Sequence, residues 1–213
     1  MTMEITAGLY AFIWRNPRAN NANTFLIAGK KNILIDPGHL HLFDHIVNGL
    51  GRLGITVSQV DVVLVTHAHI DHMEAVGVFG ESTLIAMSRE SFQLIEGGGG
   101  KIREPEFFLQ EGILTVGDVS LDVLMTPGHC PGSLSFYWPD RKALFTGDVV
   151  FSQGIGRTDL PGGSGRLLKE SIERLSRLDV DYLLPGHGAV VVGKEKVKDN
   201  FRMVADYWFD YLD

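Results

Sequence analysis

The feature that most constrains the fold is a nearly uninterrupted apolar run, Val60 to Thr66, with the sequence VDVVLVT. Such a run predicts a strand buried on both faces, which requires other layers of structure above and below it. Shorter apolar runs at Leu9–Trp14, Thr24–Ala28 and Asn32–Ile35 predict further strands. The last two flank Gly29-Lys30, which indicates a hairpin.

The second half of the chain repeats this order. Apolar runs at Val119–Thr126, Ser133–Trp138 and Ala143–Thr146 predict strands, and helical spacing predicts helices over 167–178 and 194–212. Both halves therefore pass from strands to helices, which is typical of an α/β protein. Two sheets packed face to face with helices outside, a four-layer αββα sandwich, is one solution to that pattern. We expect residues 1–213 to form a single domain.

Two further segments carry structural expectations. The run Gly97-Gly98-Gly99-Gly100 predicts a loop, because no Lys and Ser or Thr follow it as in a phosphate-binding loop. The final helix carries an apolar stripe, which we interpret as core packing, although a homo-oligomer contact would use the same residues. The stripe comprises Val197, Phe201, Val204, Trp208 and Tyr211.

Composition excludes several function classes. The formal net charge is -7 and no Lys or Arg cluster is present, so nucleic acid is an unsuitable partner and a small molecule is expected. No apolar stretch approaches the roughly 20 residues that span a bilayer, so no membrane partner is expected. The single cysteine, Cys130, and a first segment without the features of a secretory signal favour the cytoplasm.

A compact motif, Thr66-His67-Ala68-His69-Ile70-Asp71-His72, directly follows the buried run. Side chains two apart in an extended chain point the same way, so His67 and His69 can hold one cation together. Asp71 and His72 lie where the chain turns into the next helix, and they can face a second cation. A cluster of this density predicts a metal site.

Three more potential ligands follow predicted strands, each after a turn residue. They are His129 in TPGH, Asp148 in FTGD and His187 in LPGHG. Glycine before a ligand permits a sharp turn and a close backbone approach. Imidazole and carboxylate together suit Zn, Fe, Mn or Ni better than Ca or Mg.

These residues carry a resemblance. The His-x-His-x-Asp-His motif followed by distant His, Asp and His resembles the metallo-β-lactamase superfamily, in order and in number. The resemblance implies the αββα metallo-β-lactamase fold and two divalent ions, zinc first, with iron or manganese as alternatives. It also implies that His67, His69 and His129 hold one metal, that Asp71, His72 and His187 hold the other, and that Asp148 bridges them.

Further residues indicate a branch of the superfamily. True β-lactamases typically have Cys or Ser at the position of Asp148. The segment from Gly147 to Gly163 resembles glyoxalase II-like proteins, which hydrolyse thioesters. Only about 26 residues follow His187, too few for the helical glutathione-binding domain of typical glyoxalase II. The resemblance thus implies a short branch acting on a small-molecule thioester through a metal-bridging hydroxide, with Asp71 and Asp148 as catalytic residues.

Three alternatives stay open. Persulfide dioxygenases share the GRTD segment and use one iron held by the equivalents of His67, His129 and Asp148, and lactonases share all seven ligands. A non-enzymatic metal-binding module is the third. Arg157 and Asp159 are candidates for support of the site or of substrate, or they pair with each other in a structured loop.

Three histidines lie outside the seven predicted ligands. His39, His41 and His45 lie near the first strand-end turn and the helix predicted over 41–53, and no carboxylate triad accompanies them. We interpret them as surface residues, with His39 close enough to reach the rim of the metal site.

Overall fold

The protein is described by a computed structural model covering residues 2–98 and 102–212. The chain divides into two compact units. The first comprises Met1–Leu109 and Thr115–Val119, and the second comprises Gln110–Leu114 and Ser120–Asp213. The expectation of one domain over 1–213 stays a prediction. Gly97 ends a helix and Gly98 follows it, whereas Gly99 and Gly100 of the predicted loop lie outside the described residues.

The first unit contains a seven-stranded sheet in which the strands follow one another in chain order. The first four strands pair antiparallel, and the fourth to seventh pair parallel. The predicted hairpin around Gly29-Lys30 is confirmed by the third and fourth strands. The strands are β1 (Thr2–Thr6), β2 (Leu9–Phe12), β3 (Thr24–Ile27), β4 (Ile33–Ile35), β5 (Val62–Leu64), β6 (Leu84–Ser88) and β7 (Phe107–Leu109).

Strand β5 is the predicted doubly buried strand. Val62, Val63 and Leu64 are all buried, which confirms the reading of the apolar run. Burying one such side chain contributes about 1.5–3 kcal/mol to the free energy of folding, so this strand contributes strongly to the stability of the sheet.

Helices of the first unit follow the parallel strands. They are α1 (Asp44–Gly51), α2 (Ile70–Met73) and α3 (Arg89–Gly97), with 3-10 turns at Leu40–Leu42, Val57–Gln59 and Glu74–Val78. The Ser88 hydroxyl accepts a hydrogen bond from the Ser91 amide and so caps α3.

The second unit contains a six-stranded sheet of order β15-β14-β11-β10-β9-β8 and a two-stranded ribbon. Only β11 and β14 pair parallel. Because β10 is antiparallel to both β9 and β11, the strands β9, β11 and β14 run in one direction and end at one edge. The strands are β8 (Gly112–Val116), β9 (Val119–Met125), β10 (Leu134–Trp138), β11 (Ala143–Gly147), β12 (Val150–Phe151), β13 (Gly154–Ile155), β14 (Tyr182–Pro185) and β15 (Val191–Val192).

Two helices, α4 (Gly165–Leu175) and α5 (Lys194–Trp208), complete the second unit. The predicted core stripe of the last helix is right for its first part, because Val197, Phe201 and Val204 are buried. It is wrong for the end, where Trp208 is 39 % exposed and Tyr211 is 80 % exposed. Trp208 is the last residue of the helix, and a 3-10 turn at Phe209–Tyr211 follows it, which changes the angular spacing at Tyr211.

Over the residues the structure covers, no helix is long and apolar enough to cross a membrane.

Replacing Gly128 with Ala is expected to destabilise the fold. Gly128 has φ +135°, and a Cβ there would lie 2.2 Å from the backbone nitrogen of Leu168 in α4. Strain in this backbone region costs about 1–3 kcal/mol before the collision is counted. Denaturant unfolding should show at least that loss. Gly51→Ala is the control, because its Cβ would meet open space at the end of α1. Equal midpoints for both variants would contradict the expectation.

Candidate metal centre

The first unit gathers four of the predicted ligands beyond the end of β5. His67 and His69 precede α2, while Asp71 and His72 lie within it. The Nε2 atom of His67 is 3.0 Å from Nδ1 of His69, and Nε2 of His72 is 3.9 Å from Oδ2 of Asp71. The rings of His67 and His72 are 4.1 Å apart between centroids. The compact motif therefore brings its donor atoms together, as its spacing predicted.

A buried carboxylate, Asp36, orients this group. Its Oδ1 accepts a hydrogen bond from the Thr66 amide at 2.8 Å. Its Oδ2 accepts from the Thr66 hydroxyl at 2.8 Å and lies 2.8 Å from Nδ1 of His72. Because an ionised carboxylate only accepts, His72 carries its proton on Nδ1 and presents the lone pair of Nε2.

The same chain of hydrogen bonds fixes His67. The Thr66 hydroxyl donates its hydrogen bond to Asp36, so its oxygen accepts a hydrogen bond from Nδ1 of His67 at 3.0 Å. His67 therefore also presents an unprotonated Nε2, the form in which imidazole binds a metal. A partner on the far ring nitrogen is the usual support of a ligating histidine.

Asp36 is a functional residue that the sequence alone did not reveal. It is 2 % exposed, follows β4 directly and adopts φ 55°. The usable signal was its position: a charged residue after a buried strand whose carboxyl end lies beside that of β5.

Asp71 has its own support. The side-chain amide of Asn20 donates to Oδ2 of Asp71 at 2.6 Å. The carboxylate is thereby held in one orientation while it stays 7 % exposed. Asn20 carries no recognisable spacing relative to the motif, 51 residues away in sequence, so only the folded chain reveals it.

The second unit gathers the three remaining ligands at one edge of its sheet. His129 follows β9, Asp148 follows β11 and His187 follows β14, the three strands that end on the same side. Oδ2 of Asp148 lies 3.6 Å from Nε2 of His129 and 3.4 Å from Nε2 of His187. Strand direction therefore brings together residues up to 58 positions apart in the sequence.

The His129 ring is oriented by the backbone. Its Nδ1 lies 2.7 Å from the carbonyl oxygen of Arg157, which can only accept, so the proton is on Nδ1 and Nε2 carries the lone pair. A Cβ on Gly156 would lie 1.8 Å from the Asp148 carbonyl oxygen and 3.1 Å from Cβ of His129. Only glycine at position 156 lets this loop pass so close to both ligands.

Arg157 and Asp159 pair with each other. Nε of Arg157 donates to Asp159 at 2.7 Å and Nη2 donates at 2.6 Å, and both side chains are mostly exposed. The hydrogen bond from Arg157 is the main cause that lowers the pKa of Asp159 to about 2. Through its carbonyl oxygen Arg157 supports His129. A role of either side chain toward substrate stays a prediction.

The donor sets fit a transition metal. Two ligands at about 2.0–2.2 Å from one tetrahedral ion lie roughly 3.3–3.6 Å apart. Within each unit, neighbouring donor atoms are spaced from 3.0 to 3.9 Å. Three histidines, His67, His72 and His129, present the ring nitrogen that a metal requires. Cys130, beside His129, is buried and only 3 % exposed.

A family model of the metallo-beta-lactamase superfamily matches residues 17–187, a span that contains all seven predicted ligands. The chain belongs to the metallo-β-lactamase superfamily. This confirms the resemblance on which the fold prediction relied, and the α/β metallo-β-lactamase fold with two mixed sheets is confirmed with it. A divalent metal site is implied by that fold.

Relatives of this chain within the superfamily are described as metallo-hydrolases. The chain is 34 % identical over 190 residues to a protein of Methanocaldococcus jannaschii described as "Probable metallo-hydrolase", covering 80 % of this chain and 89 % of the relative. It is 33 % identical over 190 residues to a hydroxyacylglutathione hydrolase of Haemophilus influenzae, covering 81 % and 87 %. A solved structure described as di-iron-bound superposes with a TM-score of 0.68 at 28 % identity, covering 91 % and 96 %.

Asp36→Asn should weaken metal binding. An amide that keeps Oδ1 on the Thr66 amide turns its NH₂ group toward Nδ1 of His72, so that nitrogen must accept and the proton moves to Nε2. Loss of such outer support typically costs 10–100-fold in metal affinity. The affinity of each protein for the metal is measured by competition against a chromophoric chelator.

The matched control for this experiment is Asp44→Asn, an exposed carboxylate at the start of α1 in the same unit. It is expected to bind metal as the wild type does. An Asp36→Asn protein with wild-type affinity would show that the His72 tautomer does not depend on Asp36.

Proposed function

We propose that the chain hydrolyses a small-molecule thioester at one two-metal centre built from all seven ligands. The observation that carries the proposal is the convergence on Asp148, whose Oδ2 is approached by Nε2 of both His129 and His187. A carboxylate between two imidazoles suits a bridge between cations. The matching span of 17–187 supports uniting this group with the motif of the first unit.

In this proposal His67, His69 and His129 would hold one ion, Asp71, His72 and His187 would hold the other, and Asp148 would be shared between them. Two divalent ions contribute four positive charges and the two aspartates remove two. When bound, the ions would lower the pKa of water toward about 7 and polarise the substrate carbonyl. Zinc is the first choice, with iron or manganese as alternatives, because imidazole and carboxylate ligands accept all three.

The chain's own residues would then direct the proton. Asp71, held by the Asn20 amide, would orient the attacking water and accept its proton through a carboxylate oxygen. Asp36 would keep the His72 ring fixed while charge develops at the carbonyl. The thiolate can leave as the anion without a general acid, because a thiol pKa near 8.5 makes it a far better leaving group than an alkoxide, and it takes up a proton from water after release.

A thioester substrate is supported by two lines of argument. One relative bears the name hydroxyacylglutathione hydrolase. The segment from Gly147 to Gly163 resembles glyoxalase II-like proteins, and its Gly156 and Arg157 contact the ligands Asp148 and His129. A lactonase or a mono-iron persulfide dioxygenase would use the same residues, so both are outcomes of the test.

The test compares substrates on protein loaded separately with Zn, Mn and Fe. Turnover of S-lactoylglutathione or a simple acyl-thioester, with two metals per chain, is the expected result. Lactone hydrolysis without thioester turnover would replace the substrate class. One iron per chain with oxygen consumption on glutathione persulfide would replace the reaction itself.

Asp148→Ala is expected to abolish both metal retention and turnover, since both ions lose their shared ligand. Metal quantification after gel filtration and the thioester assay measure the two effects. Asp206→Ala, an exposed aspartate on α5, is the control and should retain both. Wild-type turnover in the Asp148→Ala protein would refute the bridging role.

A further inference from the structure

A second group of metal-type ligands lies in the first unit, outside the seven. His39, His41 and Glu74 each offer one ligand atom, and these atoms all lie within 4.8 Å of one another. His39 precedes the 3-10 turn Leu40–Leu42, His41 lies in that turn, and Glu74 begins the 3-10 turn after α2. From the sequence we expect the two histidines at the surface, with His39 close enough to reach the rim of the metal site. The fold brings Glu74, 35 residues from His39, beside them.

The geometry within the group is already tight. Nδ1 of His39 is 2.8 Å from Oε2 of Glu74, and the ring centroids of His39 and His41 are 4.9 Å apart. The Leu40 amide donates to the same Oε2 at 3.1 Å, which holds the Glu74 carboxylate in place.

The three ligands differ in their exposure to solvent. The His39 side chain is only 12 % exposed, whereas the Glu74 side chain is 42 % exposed and His41 is exposed. One ligand is thus fixed by packing while the other two leave space for an ion to enter and for water to complete its coordination. Two histidines, one glutamate and a solvent ligand form a recognised zinc arrangement of the open type.

We propose that His39, His41 and Glu74 form an accessory site for one divalent transition metal, for which Zn²⁺ is the probe. An ion there would replace the proton between His39 and Glu74, and the three ligand atoms, which lie within 4.8 Å of one another, would move to the roughly 3.3–3.6 Å spacing of ligands on one tetrahedral ion. The ligand types exclude a preference for Ca²⁺ or Mg²⁺.

A metal ion in this accessory site would stabilise the backbone position of His72. The Gly38 amide donates to the His72 carbonyl oxygen at 2.9 Å, and the Ala75 amide donates to the Gly38 carbonyl oxygen at 2.9 Å. His39 follows Gly38, and Glu74 lies two residues beyond His72. An ion joining them would therefore clamp the two segments between which the His72 backbone is held, and would stabilise that part of the first unit.

The test counts zinc. Wild-type protein and His41→Ala are dialysed against the same buffered free Zn²⁺, at a level that saturates the wild type, and zinc per chain is measured by mass spectrometry. The wild type is expected to bind one equivalent more. His45→Ala is the matched control, because the His45 ring bonds to the Phe12 carbonyl oxygen and packs on Trp14, away from the group.

Two further variants keep the result interpretable. Glu74→Gln should also lose one equivalent, and Glu81→Gln, an exposed glutamate, should not. His41→Cys should retain the equivalent, and with Co²⁺ in place of zinc it should add thiolate-to-cobalt charge-transfer absorption that the wild type lacks. This second signature depends on metal contact at position 41 and not on enzymatic turnover.

Equal zinc content in wild type, His41→Ala and Glu74→Gln would overturn the proposal, as would a loss in His45→Ala as large as that in His41→Ala. Because zinc is compared between variants that keep all seven ligands, the outcome is independent of the thioesterase assay.

Discussion

The buried carboxylate of Asp36 is the interaction on which the arrangement of the first unit depends. It accepts from the backbone and hydroxyl of Thr66 and from the ring of His72, so it joins the ends of β4 and β5 to α2. A buried charge without such partners would cost several kcal/mol. With them, it fixes two histidine tautomers at once, because the Thr66 hydroxyl passes the constraint on to His67.

In the second unit, a backbone atom orients the histidine ring instead of a carboxylate. His129 is oriented by the Arg157 carbonyl oxygen, and the loop that carries this oxygen reaches it only because Gly156 has no side chain. Asp148 and His187 are brought to the same edge by the parallel strands β11 and β14, which they follow. One unit therefore orients its imidazoles through a carboxylate and a hydroxyl, and the other orients one through a peptide carbonyl.

These hydrogen bonds to the histidine rings matter for metal binding. Ligand imidazoles must present an unprotonated nitrogen, and the partner on the other ring nitrogen decides which one that is. His39 differs, because the Glu74 carboxylate on its Nδ1 is itself one of the proposed ligands, and both Glu74 and His41 are exposed. The difference in burial separates a group suited to retaining its ions from one suited to exchanging an ion with solvent.

The sequence by itself determined the doubly buried strand β5, the hairpin of β3 and β4, the α/β class and the dense motif from His67 to His72. These follow from local periodicity and spacing, which operate over a few residues. The two-residue strands β12, β13 and β15 are too short to leave a periodic signal, and the exposure of Tyr211 depends on where α5 gives way to a 3-10 turn.

Only the tertiary structure revealed the roles of Asp36, Asn20 and Glu74. Each acts on a residue brought near by strand pairing or by a turn, 36 positions away for Asp36 and His72, 51 for Asn20 and Asp71, and 35 for Glu74 and His39. Hydrogen bonds depend on distance and angle in space, and no local pattern in the chain encodes those.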